Sequence, residues 1–370
     1  MPRTYLHIFI NLISNNDDKY TGLQKQINEN RNHEFKTLNF SEKSVSIFYN
    51  VEYTNKRFFR EFFYISVFKE LEEKIINEIN QCSTNQSIII YTKDEGVWSE
   101  FLRHLIIKYK LHNIVFVNVQ HGFLMKEKAF PLKIFLIKFI NLIYLKVFGF
   151  PKFGIGPFKG PFNFYLLFQS ELSKSVSPSS KVISCANLLN RSFIDSFEVE
   201  DIEIQDNKSI LIALPYYTRF GFYSMNFEES LGSLIPLISS VKNDFGYKIY
   251  LRKHPGMKKD IFIKVLKKID LFNSVIIDNE SVVTSIRRSP YIFSFNSTIL
   301  FESGLVNRLP VVIDNKSFNL NGFPIKYTIL DTEQNIYEQL KNIFKIKPIK
   351  NNLHDEINWP NFIESKNTLK

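Results

Sequence analysis

The chain has 370 residues, of which 44% are hydrophobic and 23% are charged. This length exceeds one ordinary domain and suits two, and this composition is typical of a globular protein. The two cysteines, Cys82 and Cys185, exclude a disulfide scaffold and a cysteine-rich zinc module. The histidines form no His-x-x-x-His pair, so we expect no metal site. Glycine-rich dinucleotide and P-loop motifs do not occur, which excludes the commonest phosphate-binding loops.

The charge balance is basic, with 47 lysines and arginines against 37 aspartates and glutamates, a net charge of +10. A basic surface favours anionic partners, namely phosphate-bearing substrates, nucleic acid or an acidic lipid surface. The positive residues are dispersed and form no basic stripe, so we do not expect nucleic-acid binding. An AT-rich coding sequence is the alternative source of the lysines, because isoleucine, asparagine and phenylalanine are abundant too.

The first fourteen residues contain an apolar stretch that His7 and Asn11 interrupt, and no small-residue cleavage site follows it. This pattern predicts a buried strand and not a signal peptide, so we expect a cytoplasmic protein with reduced cysteines. Short apolar runs then alternate with amphipathic stretches of helical spacing. Strands are predicted at 44–49, 87–92 and 113–119, and helices at 57–80 and 98–110. The alternation predicts a parallel sheet with helices on both faces.

The segment 130–150 is almost long enough to cross a bilayer, but it carries Lys133, Lys138 and Lys146. On a helical projection we expect Lys138 and Lys146 on one side, and on the other side Leu132, Leu136, Phe139, Ile143 and Val147. This predicts a helix that lies in a membrane interface, with its lysines towards anionic headgroups. The alternative is an ordinary buried helix whose lysines reach solvent.

A second alternating series follows a polar, acidic linker predicted at 191–208. The last strands of the first domain are predicted before this linker, at 164–168 and 181–185. The strands of the second series are predicted at 209–214, 247–252, 274–277, 291–294 and 310–313, and its helices at 227–245, 258–271, 281–288 and 297–307. The chain therefore divides into an N-terminal acceptor-side domain at 1–195, with a hydrophobic basic insertion near 129–161, a C-terminal nucleotide-sugar domain at 206–345 and a tail at 346–370. Two such Rossmann-like α/β domains would face each other across a ligand-binding cleft.

Two motifs follow predicted strands of the first domain. Asp94 and Glu95 stand directly before Gly96, and two neighbouring carboxylates on a tight turn suit a general base, because a like-charge neighbour at short range raises the pKa of one of them. The alternative is an exposed acidic turn. Gln120-His121-Gly122 follows the next strand, where His121 offers a donor or acceptor and Gly122 allows close approach of an acceptor substrate. A histidine that caps local loop structure is the alternative.

Two further motifs follow strands of the second domain. Arg252, Lys253 and His254 precede Pro255, and such a cluster can hold a phosphate while His254 protonates a leaving group. The element from Asn296 through Ser297 and Thr298 to Glu302 begins a helix, where hydroxyls and backbone N–H groups form an anion site. The alternatives are a basic surface turn and a serine that only caps its helix.

The order of these motifs resembles that of bacterial sialyltransferases and related capsule and lipooligosaccharide glycosyltransferases of the two-domain GT-B fold. Their acidic pair with glycine, His-Pro and Ser-Ser/Thr elements correspond here to Asp94-Glu95-Gly96, His254-Pro255 and Ser297-Thr298. Gln120-His121-Gly122 is similar to an element of the Kdo and polyol-phosphate transferases. The motifs cover about a third of the chain.

The resemblance implies an inverting, metal-independent glycosyltransferase of the cell envelope that needs no cofactor. It would move a sialic acid-type sugar, a nonulosonic acid or Kdo, from a CMP-sugar donor to a glycan or glycolipid acceptor. Either Asp94 or Glu95 would be the base, and His254 would assist departure of CMP. Donor-binding residues would be Arg252, Lys253, Pro255, Asn296, Ser297, Thr298 and Glu302. The enzyme would be peripheral on the inner membrane.

Two alternatives remain. One is a polyol-phosphate transferase that uses a donor such as CDP-glycerol, since the same basic and hydroxyl-rich strand ends would serve it. The other is a non-catalytic protein of polysaccharide assembly, for which neither Asp94 nor Glu95 would matter.

Overall fold

The computed structural model of the protein describes residues 4–11, 18–29, 31–39, 60–82, 86–93, 96–111, 114–120, 131–151, 162–167, 180–185, 189–198, 206–214, 227–254, 257, 259–295, 297–314 and 325–349. Within it the chain forms two compact units, which divide between Arg191 and Ser192. The strand predicted at 44–49 and most of the tail predicted at 346–370 lie outside the described residues.

The first unit contains a six-stranded parallel sheet whose order is β2-β1-β3-β4-β5-β6. Its strands are β1 (Thr4–Asn11), β2 (His33–Asn39), β3 (Gln86–Lys93), β4 (Val115–Val119), β5 (Phe164–Leu167) and β6 (Lys181–Ser184). Its helices are α1 (Asp18–Asn28), α2 (Arg60–Gln81), α3 (Gly96–Lys108) and α4 (Pro131–Phe148). The chain adds β2 on one side of β1 and β3 on the other, so the direction of winding reverses between β1 and β3.

The second unit contains another six-stranded parallel sheet, in the order β12-β11-β10-β7-β8-β9. Its strands are β7 (Ser209–Ala213), β8 (Lys248–Arg252), β9 (Ile276–Asp278), β10 (Tyr291–Ser294), β11 (Leu309–Asp314) and β12 (Thr328–Asp331). The helices are α5 (Arg191–Glu198), α6 (Phe227–Gly232), α7 (Ile235–Asn243), α8 (Lys259–Lys268), α9 (Val282–Arg288), α10 (Thr298–Leu305) and α11 (Ile336–Ile343). Here the winding reverses between β7 and β10.

Continuous apolar strands explain why both sheets are parallel. Every residue of β5, β7 and β10 is buried, as expected when helices cover both faces of a sheet. In the first unit, alternate residues of β1, β3 and β4 enter one core with the inner faces of α2 and α3. The predicted α/β architecture of two Rossmann-like domains is confirmed.

The structure corrects the sequence prediction at several elements. The stretch predicted as a linker at 191–208 contains α5, whose Phe193, Ile194 and Phe197 are buried while Arg191 is exposed. The guanidinium groups of Arg287 and Arg308 lie over the ring of Phe197, at 5.3 and 5.9 Å from its centroid. This helix was not predicted because it has only two turns, which is too short for a clear helical pattern in the sequence.

The helix predicted at 227–245 is two helices. Gly232 ends α6, and a proline stands in the first turn of α7, where its missing N–H costs no hydrogen bond. Helices α1 and α11 and strands β2 and β12 were not predicted from the sequence. In β2 the apolar residues are few and widely spaced, because it is an edge strand with half-exposed side chains.

A chain of buried polar rings crosses the face of the first sheet opposite that core. The imidazole Nδ1 of His7 lies 2.7 Å from the hydroxyl oxygen of Tyr91, and its Nε2 lies 2.8 Å from Nδ1 of His33. His7 and Tyr91 have no exposed surface. Burial, and secondarily the charge of His33, lowers the pKa of His7 to about 3. His7 is therefore a neutral ring that gives one hydrogen bond and accepts another.

We expect acid to destabilise the first unit through His7. The unfolded chain binds a proton at this ring near pH 6.5, whereas the folded chain does so only near pH 3. The contribution is therefore fully present above pH 6.5 and is lost as the pH falls towards 3, by up to about 1.4 kcal/mol per pH unit. Urea unfolding of the wild type and of His7→Gln between pH 7 and pH 4 measures this difference. Glutamine keeps a donor and an acceptor but cannot take up a proton. As the pH is lowered from 7 to 4, the free energy of unfolding should therefore decrease less for His7→Gln than for the wild type. An equal dependence on pH in the two proteins would contradict the assignment.

Candidate functional site

The carboxyl edge of the second sheet is the place where a ligand is expected. In an open parallel sheet, ligands bind outside the carboxyl ends of the strands where the winding reverses. That point lies between β7 and β10, where the Ser294 hydroxyl donates a hydrogen bond of 2.6 Å to the carbonyl oxygen of Ala213. Strand β8 is the other neighbour of β7, so the segments that follow β8 and β10 flank the same edge.

The predicted hydroxyl-rich element forms the start of α10. Ser297 is the N-cap residue, and its hydroxyl oxygen accepts a hydrogen bond of 3.5 Å from the backbone N–H of Ile299. Thr298 is the first helical residue, and Glu302 lies one turn further on. The helix dipole and the N–H groups of the first turn favour an anion at this end. Both predictions for Ser297, a helix cap and an anion-site residue, are compatible with this position. Asn296 lies outside the described residues.

His254 follows β8 and is half-buried. Burial, and then the neighbouring charge of Lys253, lowers the pKa of His254 to about 4. The backbone N–H of Met257 donates to the carbonyl oxygen of His254 at 2.9 Å, which holds the turn after the strand. The ring is therefore neutral at pH 7. It can donate one N–H bond or accept a proton, but it is not a resident cation. Pro255 lies outside the described residues.

Arg252, predicted to bind the donor, is held by a buried network. Its Nη1 donates to the Asp278 carboxylate at 3.0 Å, to the carbonyl oxygen of Glu280 at 2.6 Å and to the hydroxyl of Ser285 at 3.1 Å. Arg288 donates to the other oxygen of Asp278, whose side chain has no exposed surface. Burial acts to raise the pKa of Asp278, but the bonds from Ser285, Arg288 and Arg252 outweigh it and lower that pKa. The first task of Arg252 is thus to tie β8 to β9 and α9.

In the first unit the predicted motifs also follow neighbouring strands. Asp94 and Glu95 lie outside the described residues, between Lys93, the last residue of β3, and Gly96, the first of α3. The winding reverses between β1 and β3, so the carboxyl end of β3, which precedes Asp94 and Glu95 in the sequence, belongs to the expected ligand edge of the first sheet. Gln120 follows β4 and is buried, with its backbone N–H bonded to the carbonyl oxygen of Leu166 at 3.0 Å. His121 and Gly122 lie outside the described residues.

Asn118 is a candidate functional residue that was not predicted from the sequence. It lies in β4 opposite Thr92 of β3 and Tyr165 of β5, and it has no exposed surface. Within the part of the chain that the structure describes, its side-chain amide nitrogen and oxygen have no hydrogen-bond partner. Buried polar atoms seldom lack a hydrogen-bond partner, because their desolvation costs free energy. A single asparagine in the apolar run Val115–Val119 was the available signal.

The described residues contain no group of three or more histidine, cysteine, aspartate or glutamate side chains that could hold a metal ion. The absence of a cofactor remains a prediction.

Comparison with known proteins identifies the fold. No family model and no curated protein matches this chain. UDP-GlcNAc 2-epimerase from Methanocaldococcus jannaschii, solved with UDP-GlcNAc and UDP, matches with a TM-score of 0.55 and 11% identity over 99% of this chain and 100% of that chain. The Neisseria meningitidis enzyme bound to UDP-GlcNAc matches with a TM-score of 0.52 and 14% identity, over 92% of this chain and 91% of its own. S. aureus MnaA, solved with UDP, matches with a TM-score of 0.53 and 13% identity, over 93% of this chain and 88% of its own.

At these identities the likeness shows the fold alone, which is a GT-B-like fold with two Rossmann-like domains. The GT-B part of the sequence resemblance is therefore confirmed, whereas nothing in the comparisons supports its sialyltransferase part. The neighbours named above are enzymes of this fold.

The predicted function is wrong in its donor and in its reaction. The neighbours from Methanocaldococcus jannaschii and Neisseria meningitidis are UDP-GlcNAc 2-epimerases solved with UDP-GlcNAc, MnaA was solved with UDP, and none of the three is a CMP-sugar transferase. The predicted CMP-sugar partner is wrong for the same reason. Neither the polyol-phosphate transferase nor the non-catalytic assembly protein corresponds to these enzymes. The motifs misled because hydroxyl, histidine and basic groups at strand ends recognise a phosphate, which CMP and UDP donors share.

We expect Asp278→Asn to destabilise the second unit by about 3 kcal/mol, because it removes the charge that compensates two half-buried arginines. The matched control is Glu228→Gln, which breaks an exposed ion pair with Lys268 in the same unit and should cost at most about 1 kcal/mol. Urea unfolding followed by circular dichroism measures both variants. Equal losses of unfolding free energy would show that the Asp278 network is not a structural tie.

Proposed function

We propose that the protein is an enzyme that acts on a UDP-activated N-acetylhexosamine and inverts the configuration at C2 of the sugar. The observation that carries this proposal is the match, over more than nine-tenths of the chain, to UDP-GlcNAc 2-epimerases solved with UDP-GlcNAc. The positions of His254 and Ser297 beside the reversal point of the second sheet agree with it, because a nucleotide diphosphate needs donors at such an edge.

The second unit would hold the nucleotide. The diphosphate would lie at the N-terminal end of α10, where Ser297 and Thr298 donate from hydroxyl and backbone groups. His254 would donate one N–H bond as a neutral ring, and a bound phosphate would raise its pKa. Glu302 carries a negative charge and would repel phosphate, so its carboxylate suits the hydroxyls of the ribose.

Inversion at C2 breaks a C–H bond and forms a new one on the opposite face of the ring. The electron pair of that C–H bond needs an acceptor, so the C1–O bond to UDP breaks as the proton leaves, and a 1,2-unsaturated sugar forms. A proton then returns to C2 from the opposite face and UDP adds back to C1. The reaction therefore needs one group that removes the proton and one that returns a proton, with no net oxidation. In this proposal Asp94 or Glu95 removes it, because a carboxylate beside a second carboxylate has a raised pKa. The same motif thus removes the C2 proton as UDP leaves C1, in place of the deprotonation of an acceptor hydroxyl.

We also propose the predicted localisation, in which the protein is peripheral on the inner membrane. None of the helices in the described ranges has both the length and the apolar character to span a bilayer. Helix α4 nevertheless exposes large apolar side chains, which is the observation that favours a surface contact.

We expect UDP to raise the melting temperature of the protein and CMP to leave it almost unchanged, because only a ligand that binds the folded state stabilises it. Thermal unfolding with UDP, CMP and inorganic phosphate at equal concentrations measures this. Ser297→Ala should reduce the shift with UDP, while Ser240→Ala, on α7, should not. An equal shift with UDP, CMP and phosphate would mean that only the phosphates are recognised, and no shift would contradict the nucleotide site.

We expect the protein to convert UDP-GlcNAc into its C2 epimer and, in D₂O, to place deuterium at C2. Asp94→Asn combined with Glu95→Gln should lower turnover at least about 100-fold, the usual scale for an acid–base group. Glu228→Gln is the control. Proton NMR of the product measures both conversion and deuterium. UDP binding without conversion or exchange would overturn the reaction and leave the nucleotide site standing.

A further inference from the structure

Helix α4 presents an exposed apolar stripe. The stripe consists of Phe135, Leu136, Phe139, Leu142, Ile143 and Val147, which are between 46% and 68% exposed. These residues recur at helical spacing, so they form one continuous face. Scattered single apolar residues are normal on a surface, but six on one helix mark a binding face.

The opposite side of α4 is anchored to the first unit. Gly149 ends the helix with a φ of +79°, which turns the chain so that Phe150 enters the core. The ring of Phe150 stacks on Phe68 of α2 with centroids 4.5 Å apart. Asn141 is buried on the same side. The stripe is therefore carried on a fixed helix, and its exposure does not come from a frayed segment.

Positive charge accompanies the stripe. Helix α4 contains three lysines and no acidic residue. The structure corrects the predicted separation of lysines and apolar residues: Lys146 is exposed and lies three and four residues after Ile143 and Leu142, on the stripe itself. Lys138 is exposed at its margin. Long lysine side chains can keep the ammonium group at the polar level while their stems lie among apolar groups.

A groove of about 170 Å³ between α3 and α4 continues this surface. Arg103 and Lys138 line it together with the apolar side chains of Leu142 and Leu145. Its one carboxylate, that of Glu100, is buried, and Arg103 lies 3.6 Å from it. His104 also lines the groove, and burial lowers its pKa, so the ring is neutral at pH 7. Two cations against one carboxylate leave the groove positive.

We propose that the α4 stripe and the α3–α4 groove bind the surface of an anionic lipid bilayer. The helix lies in the plane of the interface, the stripe enters the acyl boundary, and Lys138, Lys146 and Arg103 contact lipid phosphates. A second copy of the chain fits less well, because two such helices would bring lysines together with no acid on either α4. A bilayer supplies the opposite charge. The anionic bilayer would thus be the partner of the protein at the proposed membrane location, whatever sugar its site binds.

The full chain without UDP is mixed with vesicles of phosphatidylcholine and with vesicles of equal parts phosphatidylcholine and phosphatidylglycerol, and the bound fraction is measured by flotation. We expect binding to the anionic vesicles. Phe135→Ser with Phe139→Ser should weaken it about tenfold or more, because the apolar anchor is lost. Lys138→Gln with Lys146→Gln should remove the preference for anionic lipid.

The matched control is Ile235→Ser with Ile329→Ser, which removes two exposed apolar residues from the second unit. Its vesicle binding should equal that of the wild type. Circular dichroism and melting temperature verify that all variants are folded, so weakened binding cannot be attributed to unfolding. Light scattering measures the oligomeric state. The proposal is overturned if the wild type ignores both vesicles, if the control loses as much binding as the stripe variant, or if the stripe variant only converts a dimer into a monomer.

Discussion

The reversal of winding in each parallel sheet is the constraint from which the candidate site follows. A parallel sheet buried on both faces sends each connection over one face or the other, and the chain changes face between β1 and β3 and again between β7 and β10. At these two places the connections diverge, and backbone groups at the strand ends are left for a ligand. Residues elsewhere on the carboxyl edges lie further from that opening.

The structure of the second unit separates two kinds of positive group that look alike in sequence. Arg252 and His254 stand two residues apart, yet Arg252 is held by the buried Asp278 carboxylate, while His254 is neutral because burial outweighs any stabilisation of its charged form. The basic turn that was predicted to be one phosphate-binding cluster thus contains a structural cation, Arg252, and a neutral hydrogen-bond donor, His254. Binding of a diphosphate would then depend more on N–H groups and hydroxyls at α10 than on permanent charge, and its salt dependence would be weak.

Much of the fold could be predicted from the sequence because buried parallel strands are continuous apolar runs. The runs at 87–92, 209–214 and 291–294 correspond to β3, β7 and β10 within one residue at each end. Helix α5 and strand β2 could not be predicted in this way, since one is two turns long and the other is an edge strand with few apolar residues. Strand order was beyond the sequence as well. It depends on which strands pair, so the partners of Arg252, which come from β9 and α9, gave no local signal.

The error in the donor has a physical origin that also limits what any such motif can predict. Serine hydroxyls, a neutral histidine and the N-terminus of a helix all recognise phosphate oxygens, and these are common to CMP and UDP compounds. Cytosine and uracil differ at the exocyclic position, where one offers an amino donor and the other a carbonyl acceptor. Discrimination between them requires an acceptor or a donor at that position, and backbone C=O and N–H groups can supply either without leaving a side-chain pattern. Recognition of the base therefore depends on loop geometry, whereas the anion site consists of residue types that can be identified in the sequence.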